Sequence, residues 1–199
     1  MKKNVFILML CMLSIGTVFA QEKTVVNDSV TQLTKAQKKA IEKRNNEITD
    51  SINHLVAVEA LKKGYYVLMA DRIIMKSRSY MNPAPNTNFL LVQGEEAVIQ
   101  ISSNSARPGL NGLGGITVEG KITSMRGGEV DKKGKITYDF SVSGAGVSAQ
   151  VSVTLYKEDN QAMAIISSNF DSGTITVYGK VVPYEKTDFR KAIKGSTFP

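Results

Sequence analysis

The chain has 199 residues, with one histidine, one cysteine, no tryptophan and a formal charge of +7. Hydrophobic residues make up 42% of it and aromatic residues 7%, a balance that suits one globular domain and excludes a disordered chain or a helical membrane protein. The positive excess is too small and too dispersed to mark a nucleic-acid binder.

Residues 1–20 have the layout of a secretory signal peptide. Lys2 and Lys3 precede an apolar run from Val5 to Ile15, and Val18-Phe19-Ala20 supplies a cleavage site before Gln21. The run is shorter than the ~20 residues a membrane span needs, so the mature chain is expected to carry no transmembrane segment. Removing Lys2 and Lys3 takes the charge from +7 to +5. Cys11 lies mid-run behind Leu8-Met9-Leu10, where a lipoprotein signal would place small residues, so lipidation is not expected. Cleavage after Ala20 removes the only cysteine, leaving a periplasmic or extracellular protein without disulfides.

Residues 21–33 are polar, without periodicity, and read as a flexible leader. Thr34 and Gln37 have the spacing of a capping box, which opens a helix over residues 34–63. Ala40, Ile41, Ile48, Ile52, Leu55, Val56 and Leu61 recur at helical steps and form its apolar stripe. Lys62, Lys63 and Gly64 suit its C-terminal end.

From Tyr65 the period becomes two. Tyr65 to Met69 reads as a strand, possible in bulged form through Arg78, and the Pro83-Ala84-Pro85-Asn86 cluster reads as a loop. Residues 88–93 and 97–101 form a hairpin around Gly94-Glu95. Ser102 to Gly115 is rich in Ser, Asn and Gly and reads as the longest irregular loop. Four clean strands follow. Val118, Gly120 and Ile122 share a face with Ile116, and Ile136, Tyr138, Phe140 and Val142 share the next. Val147, Ala149, Val151, Val153 and Leu155 form a third inward set. Residues 127–134 read as a turn, residues 162–167 as a strand buried on both faces, and Ile175 to Val181 as the last strand. A tail over residues 185–199 could hold a short helix at 187–193. About eight antiparallel strands forming a sandwich or small barrel, behind one long N-terminal helix, are therefore expected. Ile116–Ile122 and Ile175–Val181 match at five of seven positions. Their inward Gly120 and Gly179 predict bends or close backbone approach in two strands.

Several stretches resemble the family of domain-of-unknown-function 4251: Gly64-Tyr65-Tyr66-Val67-Leu68-Met69-Ala70 after the helix, the hairpin segment Asn88 to Glu95, Gly114-Gly115-Ile116, and the close from Ala162 through Gly179-Lys180-Val181. The resemblance covers about Leu55 to Pro183. It implies a small exported protein of gut-type anaerobic bacteria, and its motifs carry no catalytic residues. Ile101-Ser102-Ser103-Asn104-Ser105 departs from it, standing where the family pattern has an aromatic Leu-Pro-Tyr-Phe-Gly-like stretch.

Chemistry is thin. His54 with Asp50 four residues earlier could supply two metal ligands, but a site needs three or four, so the expected role is a helix histidine bonded to Asp50. No nucleophile elbow or S-x-x-K motif is present. Glu95, Glu96, Glu119, Asp139, Glu158 and Asp159 fall at turns or outward strand positions. Gly109 to Gly115 lacks the Gly-Lys-Ser/Thr ending of a phosphate loop and leads into a strand. Lys35, Lys38, Lys39, Lys43 and Arg44 read as a solvated helix face. No enzyme and no cofactor are expected. The sequence reads as an exported, non-catalytic binding module of the bacterial envelope, its ligand mouth formed by the Asn82–Thr87 and Ser102–Gly115 loops with Asn86, Asn104, Arg107 and Asn111. The partner would be a small ligand, a glycan or an envelope protein. The alternative is an envelope interaction or assembly protein working through Ile48, Ile52 and Leu55 on the helix.

Overall fold

The computed structural model describes residues 34–75, 80–81, 83, 87–102, 115–169 and 173–184. The expected signal segment and leader, the C-terminal tail with its expected helix, and the interiors of the two long loops lie outside them. The chain divides into two compact units, Met1–Ile48 and Thr49–Pro199.

One helix, α1 (Lys35–Lys63), crosses that division. Its start is the expected capping box: the Gln37 amide donates to Thr34 Oγ1 at 3.3 Å, and the Thr34 amide donates to Gln37 Oε1 at 2.9 Å. Two amides that a helix start leaves unpaired are thereby satisfied. Gly64 ends the helix at φ 68°, the left-handed conformation that glycine adopts without a Cβ penalty.

In the second unit nine strands follow: β1 (Tyr65–Ile74), β2 (Tyr80–Met81), β3 (Phe89–Gln93), β4 (Glu96–Ser102), β5 (Gly115–Val130), β6 (Ile136–Ser143), β7 (Ser148–Leu155), β8 (Gln161–Ser168) and β9 (Thr174–Pro183). All pairings are antiparallel, β3 to β9 run as a meander, and β9 pairs back onto β1 from Tyr66↔Pro183 to Ile74↔Thr176. Eight strands thus close into a barrel, with the two-residue β2 attached at the far end of β1. Closure removes the open edges that a sandwich would have to protect, and it settles the choice between sandwich and barrel.

Alternation places Tyr66, Leu68, Leu90, Val92, Ile99, Val118, Phe140, Val142, Val151, Val153, Ala164 and Val177 inside, in one buried cluster. A smaller cluster of Val67, Phe89, Leu91 and Val98 covers the outer face of β1, β3 and β4, so β3 is buried on both sides. The buried Asn88 ties the two hairpin ends together, accepting from the Ser102 amide at 2.8 Å and donating to Ser102 Oγ at 3.2 Å.

Gly120 and Gly179 sit where the barrel turns its corners. β5 pairs with β4 as far as Lys121 and with β6 from Lys121 onward, and a Cβ on Gly120 would strike the Ser143 carbonyl and come within 2.6 Å of the Gly144 nitrogen. Gly179 lies opposite Ala70 beside the bulge of β1 at Ala70/Arg72, and a Cβ there would strike the Met69 carbonyl. Both glycines therefore mark close backbone approach, as their inward strand positions predict.

Two expectations need correction. Residues 127–130 are not a turn, because β5 continues to Val130 and the turn is 131–135, where the Asp131 carboxylate accepts from the Lys133 and Lys135 amides at 2.7 and 2.8 Å. β8 is buried on one face only: Ala162, Ala164 and Ile166 point inward, while Ile165 and Ser167 are exposed. Its apolar outward residues had suggested a second buried face that the barrel does not supply.

Candidate functional site

The expected ligand mouth cannot be placed, because Asn86, Asn104, Arg107 and Asn111 lie outside the described residues. The histidine can. His54 is half-buried, and its Nδ1 lies 2.8 Å from the Asp159 carbonyl in the β7–β8 turn. A carbonyl only accepts, so Nδ1 carries the proton. The expected bond to Asp50 is not the one formed: the imidazole points to the barrel and anchors α1 to it. Among the described residues no three or more His, Cys, Asp or Glu side chains gather as a metal site.

Two surfaces remain. The first is the outward face of α1. Within the second unit, the helix packs on the barrel through Ala57, Ala60 and Leu61, which join the barrel core. Alanines let the helix backbone approach the barrel rim closely, and His54 lies on the same side. Ile52 and Leu55 are left 54% and 68% exposed, with Val56 and Tyr65 also exposed. Helical geometry makes this inevitable, since residues about half a turn apart face opposite ways. Leu61, expected on the same stripe as Ile52 and Leu55, belongs to the packed face instead. Beside the exposed residues runs a cleft of about 430 Å³, lined by Leu55, Val56, Tyr65, Pro183 and Tyr184 and rimmed by the Glu59–Lys63 ion pair at 3.2 Å. In the first unit Ile41 and Ile48 are exposed as well.

The second surface is a groove of about 300 Å³ on the outer wall of β5 to β8, where polar side chains are joined by Phe140, Val151 and Ile165. Register builds most of its lining in two cross-strand rows, Arg126↔Asp139↔Ser152↔Ile165 and Ser141↔Gln150↔Ser167. Between Thr123 and Arg126, β5 carries one residue more than the facing stretch of β6, and Ser124 takes up the difference at φ 57°. Such a bulge bends the strand and sharpens its twist, which opens the wall here. Asp139 and Ser141 were legible as outward residues from strand alternation. The groove was not, because no local pattern in Thr123-Ser124-Met125-Arg126 announces an extra residue.

None of the described helices is long and apolar enough to cross a membrane. The family profile of the domain of unknown function DUF4251 matches residues 49–181. The crystal structure of a DUF4251 family protein from Bacteroides eggerthii is similar in fold, with a TM-score of 0.60 and 36% sequence identity. That likeness covers 69% of this chain and 91% of the other. No curated protein matches the chain significantly.

Proposed function

The chain belongs to the DUF4251 family, and we propose that it is an exported, non-catalytic binding module of the bacterial envelope whose binding surface is the outward face of α1. The observation that carries this reading is the exposure of Ile52 and Leu55 on a helix whose opposite face packs on the barrel at Ala57, Ala60 and Leu61. Contiguous exposed aliphatic side chains on a folded surface mark a site of association. Export is supported by the pattern of residues 1–20, and a non-catalytic role by the engagement of the only histidine with a backbone carbonyl.

The partner that fits the face is a second copy of the chain, packed antiparallel. Ile41, Ile48, Ile52 and Leu55 follow one another at steps of seven, four and three, the spacing by which two helices interlock side chains. Charge sets the direction. Residues 35–46 carry Lys35, Lys38, Lys39, Lys43 and Arg44 against Glu42, whereas residues 47–59 carry Glu47, Asp50 and Glu59 and no lysine or arginine. Antiparallel packing brings each basic stretch against the other copy's acidic one, and parallel packing would set the two basic stretches together. A two-fold arrangement of this kind closes on itself.

Ile41 would then lie near Leu55 of the partner subunit, and Ile48, midway between them in sequence, near the two-fold axis. In a Cys11→Ser background, Ile48→Cys is expected to form a disulfide-linked dimer on mild oxidation and Lys39→Cys to remain monomeric. Absence of the Ile48→Cys dimer, or equal cross-linking by both variants, would contradict this reading. A ligand-binding role finds separate support in the outer-wall groove.

A further inference from the structure

We infer that the outer-wall groove of β5 to β8 is a binding site for a small, neutral, polyhydroxylated ligand of sugar size. The groove shares no residue with the loops expected to bind ligand and none with the cleft beside α1. Its volume of about 300 Å³ lies at the lower end of the range that holds small molecules, which limits the occupant to roughly one or two rings.

Its chemistry selects the class. Ser124, Ser141, Ser152, Ser167 and Gln150 line the groove with groups that both donate and accept. Arg126 and Asp139 face each other in register from β5 and β6. Neither enters an ion pair among the described residues. The groove thus offers a fork of donors and a pair of acceptor oxygens with no net charge. An anion would be repelled by Asp139 and a cation by Arg126, whereas vicinal hydroxyls can donate to the carboxylate and accept from the guanidinium together. Ile165, 37% exposed at the end of the same row, presents an apolar surface to the ring C–H groups. The neutral polar groups outnumber the charged ones, which favours a polyol over a zwitterion.

The wall is also held in a conformation that costs free energy. Ser124 is in the left-handed region without being glycine, a state that persists only where the surroundings impose it and that gathers at ligand sites. The strand pairing on either side imposes this conformation, and the bulge that results keeps the groove open.

The test is a titration of the full chain, labelled with nitrogen-15, with methyl glucoside and with N-acetylglucosamine. Glycylglycine and sodium phosphate serve as the zwitterionic and anionic comparators. The inference expects saturable amide shifts confined to the rows through Arg126, Asp139, Ser152 and Ser141, with millimolar affinity for at least one sugar. Arg126→Ala is expected to weaken binding about tenfold, the loss of one charged hydrogen bond, and Ser152→Tyr to abolish it by filling the groove, both with unchanged melting temperature. The inference is overturned if neither sugar shifts these rows, if the shifts lie elsewhere, or if Ser152→Tyr binds normally. Glycylglycine or phosphate binding in place of the sugars would overturn the ligand class.

Discussion

Leu55 and Ala57 are two residues apart on α1, yet Leu55 is 68% exposed while Ala57 is 0% exposed. The larger apolar side chain is in water and the smaller one is in the core. Packing follows from this. Ala57 has no room to grow, so Ala57→Leu is expected to destabilise the fold by about 2 kcal/mol through overpacking. Leu55→Ala removes contacts with no core neighbour and, in the dilute monomer, is expected to change stability by less than about 0.5 kcal/mol. Urea denaturation of both variants checks the pair. A cost for Leu55→Ala as large as that for Ala57→Leu would mean that the outward face is covered within the monomer.

Gly179 and Gly146 separate two reasons for needing glycine. Gly146 has φ 78° with nothing within 4 Å of an added Cβ, so Gly146→Ala carries only the conformational penalty of about 1 kcal/mol. Gly179 lacks a positive φ, but an added Cβ would meet the Met69 carbonyl and lie 2.7 Å from its carbon. Gly179→Ala must push β1 away from β9 at the closure of the barrel, with an expected cost of about 3 kcal/mol. Equal melting temperatures for the two variants would show that the closure is looser than the geometry requires.

Much of this architecture was legible in the sequence. The alternation of residues 136–142 and 147–155 gives the inward sets directly, the caps at Thr34 and Gly64 fall where spacing places them, and Gly120 and Gly179 mark the corners. The helix face that packs was not legible. Hydrophobicity draws attention to Ile52 and Leu55, whereas close packing at the barrel rim selects small side chains at Ala57 and Ala60. Nor was the length of β5. Gly127 and Gly128 suggest a turn, but they lie in a second register shift between Gly127 and Val130 of a strand that continues. Of the candidate sites, the exposed helix stripe was visible beforehand and the outer-wall groove was not, because its shape depends on register between strands.

Tyr66 is completely buried, and its hydroxyl finds no hydrogen-bond partner among the described residues. Such a group carries its desolvation cost uncompensated, so Tyr66→Phe is expected to raise stability by about 1 kcal/mol near neutral pH. Burial, and to a lesser extent the neighbouring Tyr138, pushes the phenol far above the ordinary tyrosine value of 10.0. The unfolded chain ionises first, so the native state's stability is undiminished below pH 10.0 and falls as the pH rises beyond it. Tyr66→Phe lacks this loss, and its advantage over the wild type should widen in urea titrations above that pH. A destabilised variant, or a constant difference across the alkaline range, would show that the hydroxyl is satisfied.

Asn88 holds the open end of the β3–β4 hairpin by bonding both the amide and the hydroxyl of Ser102. Asn88→Ala leaves the Ser102 amide without this acceptor in a region where Asn88 itself is 1% exposed, and the expected cost is about 2 kcal/mol. Amide exchange at Ser102 should accelerate more than at Val98, in the middle of β4. Unchanged protection at Ser102 would show that the side chain is dispensable.

The central claim is that the outward face of α1 serves association and not folding. Light scattering and thermal melting, measured together on the wild type and on Ile52→Glu, test it most directly. The account predicts a dimeric mass for the wild type at micromolar concentration, and a monomeric mass for Ile52→Glu once any melting-temperature gain from dimerisation is excluded by comparison at high dilution, where both should melt alike. A monomeric wild type across that range, or an Ile52→Glu variant that unfolds at lower temperature even when dilute, would contradict it.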